Sequence, residues 1–130
     1  MFKQERKINL SSLNLAQNSK CKPIAFANLL CSLSNNNNVP ISRLVLNGND
    51  LEVSQKSSNS ASFHLTKAFV ALLSCSRYLS HLSIANCGIG KEIMLAIGEG
   101  LFKNNKLQLL NMRGNRVKLN GIKELVRSCF

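Results

Sequence analysis

Apolar residues recur in one frame at four places along this chain. The frame has apolar residues at its first, fourth, sixth and eleventh positions and Asn or Cys at its ninth. It is complete in residues 41–51, 79–89 and 107–117, and in residues 10–20 it fails only at the last position, Lys20. A pattern of this length does not recur four times by chance, so we interpret it as an internal repeat.

Each copy of the frame predicts a strand followed by a turn. The apolar fourth and sixth positions have the period of a strand with one buried face. We therefore predict four parallel strands, near residues 12–15, 43–46, 81–84 and 109–112. The Asn at the ninth position then turns the chain inward, and its amide can bond backbone groups that the turn leaves unpaired. Cys87 takes this position in the third copy, and we predict that it is buried and unreactive.

The segments between the frames have helical spacing. The clearest apolar face recurs at every fourth residue, which is one side of a helix. Its members are Ile93, Ile97 and Leu101, with Leu65, Phe69 and Leu73 in the preceding segment. The first segment offers Ile24, Ala27, Leu30 and Leu33 after Pro23, and the last offers Gly121, Ile122, Leu125 and Cys129. We predict helices near residues 23–34, 64–76, 91–103 and 120–129, and we expect His64 to open the second.

The third copy carries a more specific resemblance. Its run Gly-Ile-Gly-Lys-Glu at 88–92, followed by Ala-Ile-Gly-Glu-Gly-Leu at 96–101 and then Leu107, resembles the repeat of ribonuclease inhibitor. The leucine-rich tails of NOD-like receptors and several cytoskeletal and ciliary proteins are similar. The resemblance implies an α/β leucine-rich-repeat solenoid of about four repeats, with a parallel sheet on the concave side and helices on the convex side. It covers residues 8–130, after a basic N-terminal segment at 1–7, with repeats near 10–38, 41–78, 79–106 and 107–130.

The spacing of the turn residues locates two insertions. Asn115 follows Cys87 by 115 − 87 = 28 residues, whereas Cys87 follows Asn49 by 38 and Asn49 follows Asn18 by 31. The surplus of ten fits the polar run at residues 54–62, and the surplus of three fits the asparagines at 35–38. Residues 54–62 have no large apolar side chain, so we expect a loop that is mobile or ordered by a partner.

The charge of the chain favours an anionic partner. Seventeen Lys and Arg residues against six Asp and Glu give a formal charge of +11. Nucleic acid, an acidic protein surface and an anionic membrane surface are the candidate partners for such a balance. Residues 101–130 contain seven Lys and Arg residues and one acidic residue, Glu124, so the formal charge of this segment is 7 − 1 = +6. This cluster is either a solvated helical face or a basic end that docks an acidic surface.

The sequence does not suggest an enzyme, a cofactor or a metal site. The two histidines, His64 and His81, have no Cys or carboxylate nearby in sequence, and the solenoid geometry places His81 beside Arg43 and Leu109. Gly88 and Gly90 lack the third glycine of a dinucleotide-binding loop. The six acidic residues form no pair at metal-ligand spacing. We therefore expect no catalytic residue, no bound cofactor and no metal.

The cysteines and the apolar runs indicate the compartment. The five cysteines are odd in number and contain no C-x-x-C pair. This argues against a disulfide framework or a zinc site and favours a reducing compartment, the cytoplasm. The first residues do not resemble a secretory signal, and no apolar run approaches the ~20 residues that cross a bilayer. We expect no membrane insertion, and the family resemblance adds a cytoskeletal or ciliary location as an option.

The strand positions between the buried leucines predict a binding face in three rows. The rows are Ser12, Arg43, His81, Leu109; Asn14, Val45, Ser83, Asn111; and Ala16, Asn47, Ala85, Arg113. The face is mixed and nearly neutral, and it has no aromatic residue that would stack on a base. From it and from the basic end we select the candidate partner-binding residues Arg43, Val45, His81, Ser83, Leu109, Asn111, Arg113, Arg116, Lys118 and Lys123.

These observations lead to two functional hypotheses. The first is a non-enzymatic protein-interaction or scaffold module within a larger assembly, whose partner has an acidic surface. The alternative is a basic accessory protein of a ribonucleoprotein complex, held through its charge. In the first hypothesis residues 107–130 are the main contact surface, since an uncovered last layer and an open strand edge invite pairing. The other interpretation of this end is a fragment whose next repeat is missing.

Overall fold

Strands and helices alternate along the whole of the described chain. The computed structural model describes residues 10–35, 39–52 and 59–129. Its elements are β1 (Ser12–Asn14), α1 (Pro23–Asn35), β2 (Arg43–Val45), α2 (Asn59–Cys75), β3 (His81–Ser83), α3 (Lys91–Phe102), β4 (Leu109–Asn111) and α4 (Leu119–Cys129). The predicted α/β class is confirmed, and we call each strand with the turn and helix that follow it a unit.

The four strands form one parallel sheet in chain order, β1-β2-β3-β4. The register aligns the fourth position of each frame, so that Leu13, Leu44, Leu82 and Leu110 face one another across the sheet. The predicted parallel strands are therefore confirmed, each ending one residue before its predicted end. The frame itself sets this register, because a slip by one residue would turn every leucine to the wrong face.

The helices form a second layer in the same order as the strands. Helix α2 packs against α1 and α3, and α3 packs against α4. Alternate strand residues, among them Leu44, Leu46 and Leu82, share one hydrophobic core with Leu65 and Phe69 of α2. The core therefore lies between the sheet and the helices, and the opposite face of the sheet is left to the intervening residues.

Helix α2 begins earlier than its sequence pattern predicted. It starts at Asn59, so His64 lies within the helix rather than at its start, and the prediction of a loop is wrong for residues 59–62. Asn and Ser, which occupy positions 59 and 60, are residue types that favour helix N-termini. Apolar periodicity begins only at residue 65, which is why it missed the first turns. The rest of the predicted loop lies outside the described residues.

Helix α1 buries most of the face predicted for it, with Leu33 packed against the core, but Phe26 is buried in place of Ile24. Ile24 is 38% exposed, whereas Phe26 is buried together with Ala27 and Leu30. The inward side of α1 therefore follows the spacing of Phe26, Leu30 and Ser34. Ser34 tolerates burial because its hydroxyl donates to the carbonyl oxygen of Cys31 at 2.7 Å.

The turns after the strands share one backbone conformation. The residue before each ninth-position Asn or Cys has a positive φ in all four units, at Gln17 (59°), Gly48 (72°), Asn86 (55°) and Gly114 (68°). This left-handed conformation costs little for glycine and more for residues with a Cβ. The four units thus turn in the same way even where the sequence does not supply glycine.

Asn49 ties two neighbouring units together through its side chain. Its amide nitrogen donates to the carbonyl oxygen of Leu46 in its own unit at 2.8 Å and of Leu15 in the preceding unit at 2.9 Å. Its amide oxygen accepts from the backbone N–H of Asn18 at 2.8 Å. Asn115 repeats this arrangement with Met112, Ile84 and Cys87. The side chain of the turn residue therefore satisfies backbone groups that the turn leaves unpaired.

We predict that Asn49→Ala lowers the free energy of unfolding by about 3 kcal/mol, because it leaves several buried backbone groups without a hydrogen-bond partner. Asn49 is only 2% exposed, whereas Asn18, at the same frame position in the first unit, is exposed. Asn18→Ala is the matched control and should cost about 1 kcal/mol or less. Urea unfolding of both variants measures the difference, and equal losses would contradict the role assigned to Asn49.

Candidate functional site

The face of the sheet turned away from the helices carries most of the predicted binding residues. The strand register places Ser12, Arg43, His81 and Leu109 in one row and Asn14, Val45, Ser83 and Asn111 in the next. The first two predicted rows are therefore confirmed as neighbours across the sheet. Arg43, Leu109 and Arg113 are exposed, whereas His81, Ser83 and Asn111 are half-buried. We call these rows, with the residues that continue them at the strand ends, the open face.

Val45 does not belong among the binding residues. Its side chain is only 8% exposed, although the strand period points it to the open face. It lies in register between Asn14 and Ser83 on the two flanking strands. Branched side chains such as valine pack well on the pleated surface of a sheet. Because Val45 is buried there, it offers a partner little contact area.

Polar side chains on the open face form one hydrogen-bonded row. The Asn111 amide donates to Ser83 Oγ at 3.1 Å, and the Ser83 hydroxyl donates to Asn47 Oδ1 at 2.7 Å. The same Asn47 oxygen accepts from the backbone N–H of Ala85 at 2.8 Å. This row holds its side chains in fixed positions across three strands. Asn47 was not selected from the sequence, although its place in the third row was the signal that could have identified it.

Hydrogen bonds at the start of β3 hold His81 in place. Ser80 Oγ donates to the carbonyl oxygen of Ser42 at 3.0 Å and lies 2.7 Å from His81 Nδ1. The donor in the Ser80–His81 contact depends on the tautomer of the imidazole, and either assignment holds the ring beside Ser80. Among the described residues, no group of three or more His, Cys, Asp or Glu could hold a metal ion. This geometry suits a contact residue.

The last unit, from β4 to α4, exposes apolar residues whose counterparts one unit earlier are buried. A step of 28 residues relates Met94 in α3 to Ile122 in α4. Met94 is 0% exposed and Ile122 is 46% exposed. The same step pairs the fully buried Ile84 and Ile89 with Met112 and Val117, which are only half-buried. Ile122 therefore does not share the buried face predicted for it with Gly121 and Leu125. We call Leu109, Met112, Val117, Ile122 and Val126 the end layer.

The cations around the end layer are exposed, and one of them, Arg116, forms an ion pair within the chain. Lys118 and Lys123 are exposed, as are Lys103, Lys106, Arg113 and Arg127. Arg116 Nη1 lies 2.5 Å from Glu52 Oε1 and forms an ion pair between the second and fourth units. Both side chains face solvent, so the pair adds little to stability. It does occupy Arg116, which is therefore a weaker candidate for a partner contact than Lys118 and Lys123.

Cys87 fills the ninth position of its frame without an amide. It is buried, as predicted, and its Sγ lies 3.2 Å from the carbonyl oxygen of Leu46 and 3.4 Å from that of Ala85, either of which can accept its single hydrogen. Burial raises the pKa of the Cys87 thiol, and the backbone N–H groups of Asn49 and Gly48 oppose this increase only in part. The thiol thus takes the place of the asparagine amide as a donor. Its sulfur also accepts a hydrogen bond from the backbone N–H of Asn49, although sulfur is a weaker acceptor than an amide oxygen.

Comparison with protein-family models and with curated proteins finds no match to this chain. Among the residues that the structure describes, no helix has the length and apolar character needed to cross a membrane. The assignment of a function therefore depends on the geometry of the open face and of the end layer.

We predict that a thiol reagent labels Cys87 far more slowly than it labels Cys75 in the folded protein at pH 8. The thiolate is the reactive form, and the raised pKa of Cys87 leaves less of it at this pH, besides the steric protection of burial. Cys75 is a free, exposed cysteine in the same chain and serves as the internal control. Mass spectrometry of timed samples gives the two rates. Comparable rates before unfolding would contradict the structural role of Cys87.

Proposed function

We propose that this chain is a leucine-rich-repeat solenoid of the ribonuclease-inhibitor-like type that binds a protein partner within a larger assembly. The common frame, the shared left-handed turns and the side-chain bridges between units support a repeat architecture of this kind. Solenoids of this architecture bind partners through extended surfaces. The proposed role requires no catalytic step, and the cytoplasm is the proposed compartment.

The end layer is the observation that carries this proposal. Five apolar residues on neighbouring elements are exposed or half-buried at one end of the molecule: Leu109, Met112, Val117, Ile122 and Val126. Exposed apolar surface rimmed by polar residues is typical of a protein–protein interface. The surrounding lysines and arginines add positive potential, so we infer that the partner surface is apolar at its centre and acidic at its rim.

The open face is the second contact area of the proposed module. Its exposed members, Arg43, Leu109 and Arg113, surround the fixed row of Asn47, Ser83 and Asn111. A pre-organised polar row loses little conformational entropy when it binds, which favours both affinity and specific recognition. Leu109 belongs to both surfaces, so one partner can contact the open face and the end layer together.

A role in a ribonucleoprotein complex is the second candidate function. The formal charge of +11 favours it, because phosphate contacts depend on clustered cations. The open face does not support it, since its three rows contain no Phe, Tyr or Trp to stack on bases. Salt separates the two: phosphate binding falls steeply as salt rises, whereas an interface with an apolar centre persists.

We predict that reversing Lys106, Lys118 and Lys123 to Glu abolishes co-purification of the partner from native extract. All three side chains are exposed, so the fold should tolerate the change. Reversal of Lys20, Lys22 and Lys67, which are exposed elsewhere in the fold, gives the same change in net charge and is the matched control. The control should retain the partner. Circular dichroism confirms that both variants fold.

Two results would reject the proposed protein-binding role. One is normal co-purification by the folded variant with reversed Lys106, Lys118 and Lys123. The other is a partner that is lost from the wild-type chain on nuclease treatment and in high salt, since this would favour the ribonucleoprotein alternative.

A further inference from the structure

The outer edge of β4 has backbone hydrogen-bond donors and an acceptor at the same frame positions as those through which β3 bonds to β4. In β3 and its turn, the N–H groups of Ile84 and Asn86 each donate to a carbonyl oxygen beside β4, those of Asn111 and Arg113, at 2.8 Å. The carbonyl oxygen of Ser80 accepts from the N–H groups of the chain at Gln108 and Leu109, at 2.8 and 3.0 Å.

The same step of 28 residues identifies the equivalent groups on β4. They are the N–H groups of Met112 and Gly114 and the carbonyl oxygen of Gln108. Among the described residues, none of the three has a hydrogen-bond partner. Gly114 also has the left-handed φ of 68°, close to the 55° of Asn86, so the edge has the same backbone shape as its bonded counterpart.

The end layer lies directly beside this edge. Leu110 and Met112 are half-buried, whereas Leu82 and Ile84, their counterparts on β3, are fully buried. A strand added beyond β4 would therefore hydrogen-bond the edge and bury the end layer at the same time.

We propose that an extended, acidic segment of the partner protein binds beside β4 as a fifth strand, parallel to the other four. This inference rests on the proposed function and specifies how the partner is recognised. Leu110 and Met112 face the core side of the sheet. The partner residues that lie beside them would face the same side, so we expect these residues to be apolar. The next partner residue along lies beside Arg113, where a carboxylate would be paired.

Charge distinguishes an acidic partner from a second copy of this chain. End-to-end pairing of two copies would bring β4 of one against β1 of the other. Residues 1–22 contain five cations and Glu5, which is 5 − 1 = +4, and residues 101–130 sum to +6. Two such ends repel each other, whereas an acidic segment is attracted to the β4 end.

The direct test uses a synthetic peptide of about nine residues that alternates Leu and Glu, the usual length of a strand with one apolar face. We expect it to slow hydrogen exchange of the Met112 and Gly114 amides, measured by NMR on the whole chain. A peptide with the same side chains but N-methylated throughout its backbone keeps the charge and the carbonyl acceptors. It loses the N–H groups that would donate to the β4 edge, and its methyl groups obstruct the close approach of the two strands. It should bind at least about tenfold more weakly. Equal binding of the two peptides, or no protection of these two amides, would overturn the proposal.

Variants of the edge separate this proposal from the proposed function. Met112→Pro removes one of the free edge donors, and proline is tolerated on an edge strand where its nitrogen faces outward. Met112→Ala keeps the donor and removes the side chain, so it controls for lost packing. We expect Met112→Pro to reduce binding of the alternating peptide at least about tenfold below Met112→Ala.

Each remaining outcome of these experiments has a defined meaning. If the Lys106, Lys118 and Lys123 reversal abolishes partner binding but the two Met112 variants bind peptide equally, the basic end docks a partner without adding a strand. Strand addition is then wrong and the proposed function stands. If wild-type chain self-associates in sedimentation and Met112→Pro abolishes this, a second copy is the occupant, and the proposal of an acidic partner segment is also wrong.

Discussion

The hydrogen bonds of the turn residues are the constraint on which the other features depend. A strand that ends in a left-handed turn leaves backbone groups facing the interior, where an unpaired group is costly. Asn49 and Asn115 satisfy these groups in their own unit and in the unit before it. Each of these turns is therefore completed by a side chain of the neighbouring unit, in addition to the backbone hydrogen bonds that join the strands.

The same dependence between units explains why one end of the molecule is suited to binding. Met94 and Ile84 are buried because β4 and α4 cover them, while Ile122 and Met112 have the same role in the frame and no described unit beyond them. The apolar surface and the free strand edge at that end have one cause. In a stack of repeats each unit buries its core against the next, and this is the basis of the partner contact proposed for that end.

Stability and recognition are divided between the two faces of the sheet. The apolar residues that face the helices have the same role in every unit: they are fully buried in the two middle units, as at Leu44 and Leu82, and half-buried in the first and last, as at Leu13 and Leu110. The open face varies: it carries Arg43 and His81 on neighbouring strands and the polar row that ends at Asn111. The strand alternation lets the second set change without disturbing the first. Most of the cations lie outside this face, and seven of the seventeen are in residues 101–130, the end with β4 and α4.

The amino-acid sequence by itself determined the parallel strands, their register, the helical order and the burial of Cys87, because all of these follow from one periodic frame. Only the tertiary structure decided which frame positions are accessible. Val45 is buried although its strand position points away from the helices, and Ile122 is 46% exposed although the helical spacing placed it on an apolar face. The pairing of Arg116 with Glu52 joins residues 64 positions apart. Periodicity describes a residue's own element, whereas exposure and ion pairing depend on what the neighbouring units bring to the same place.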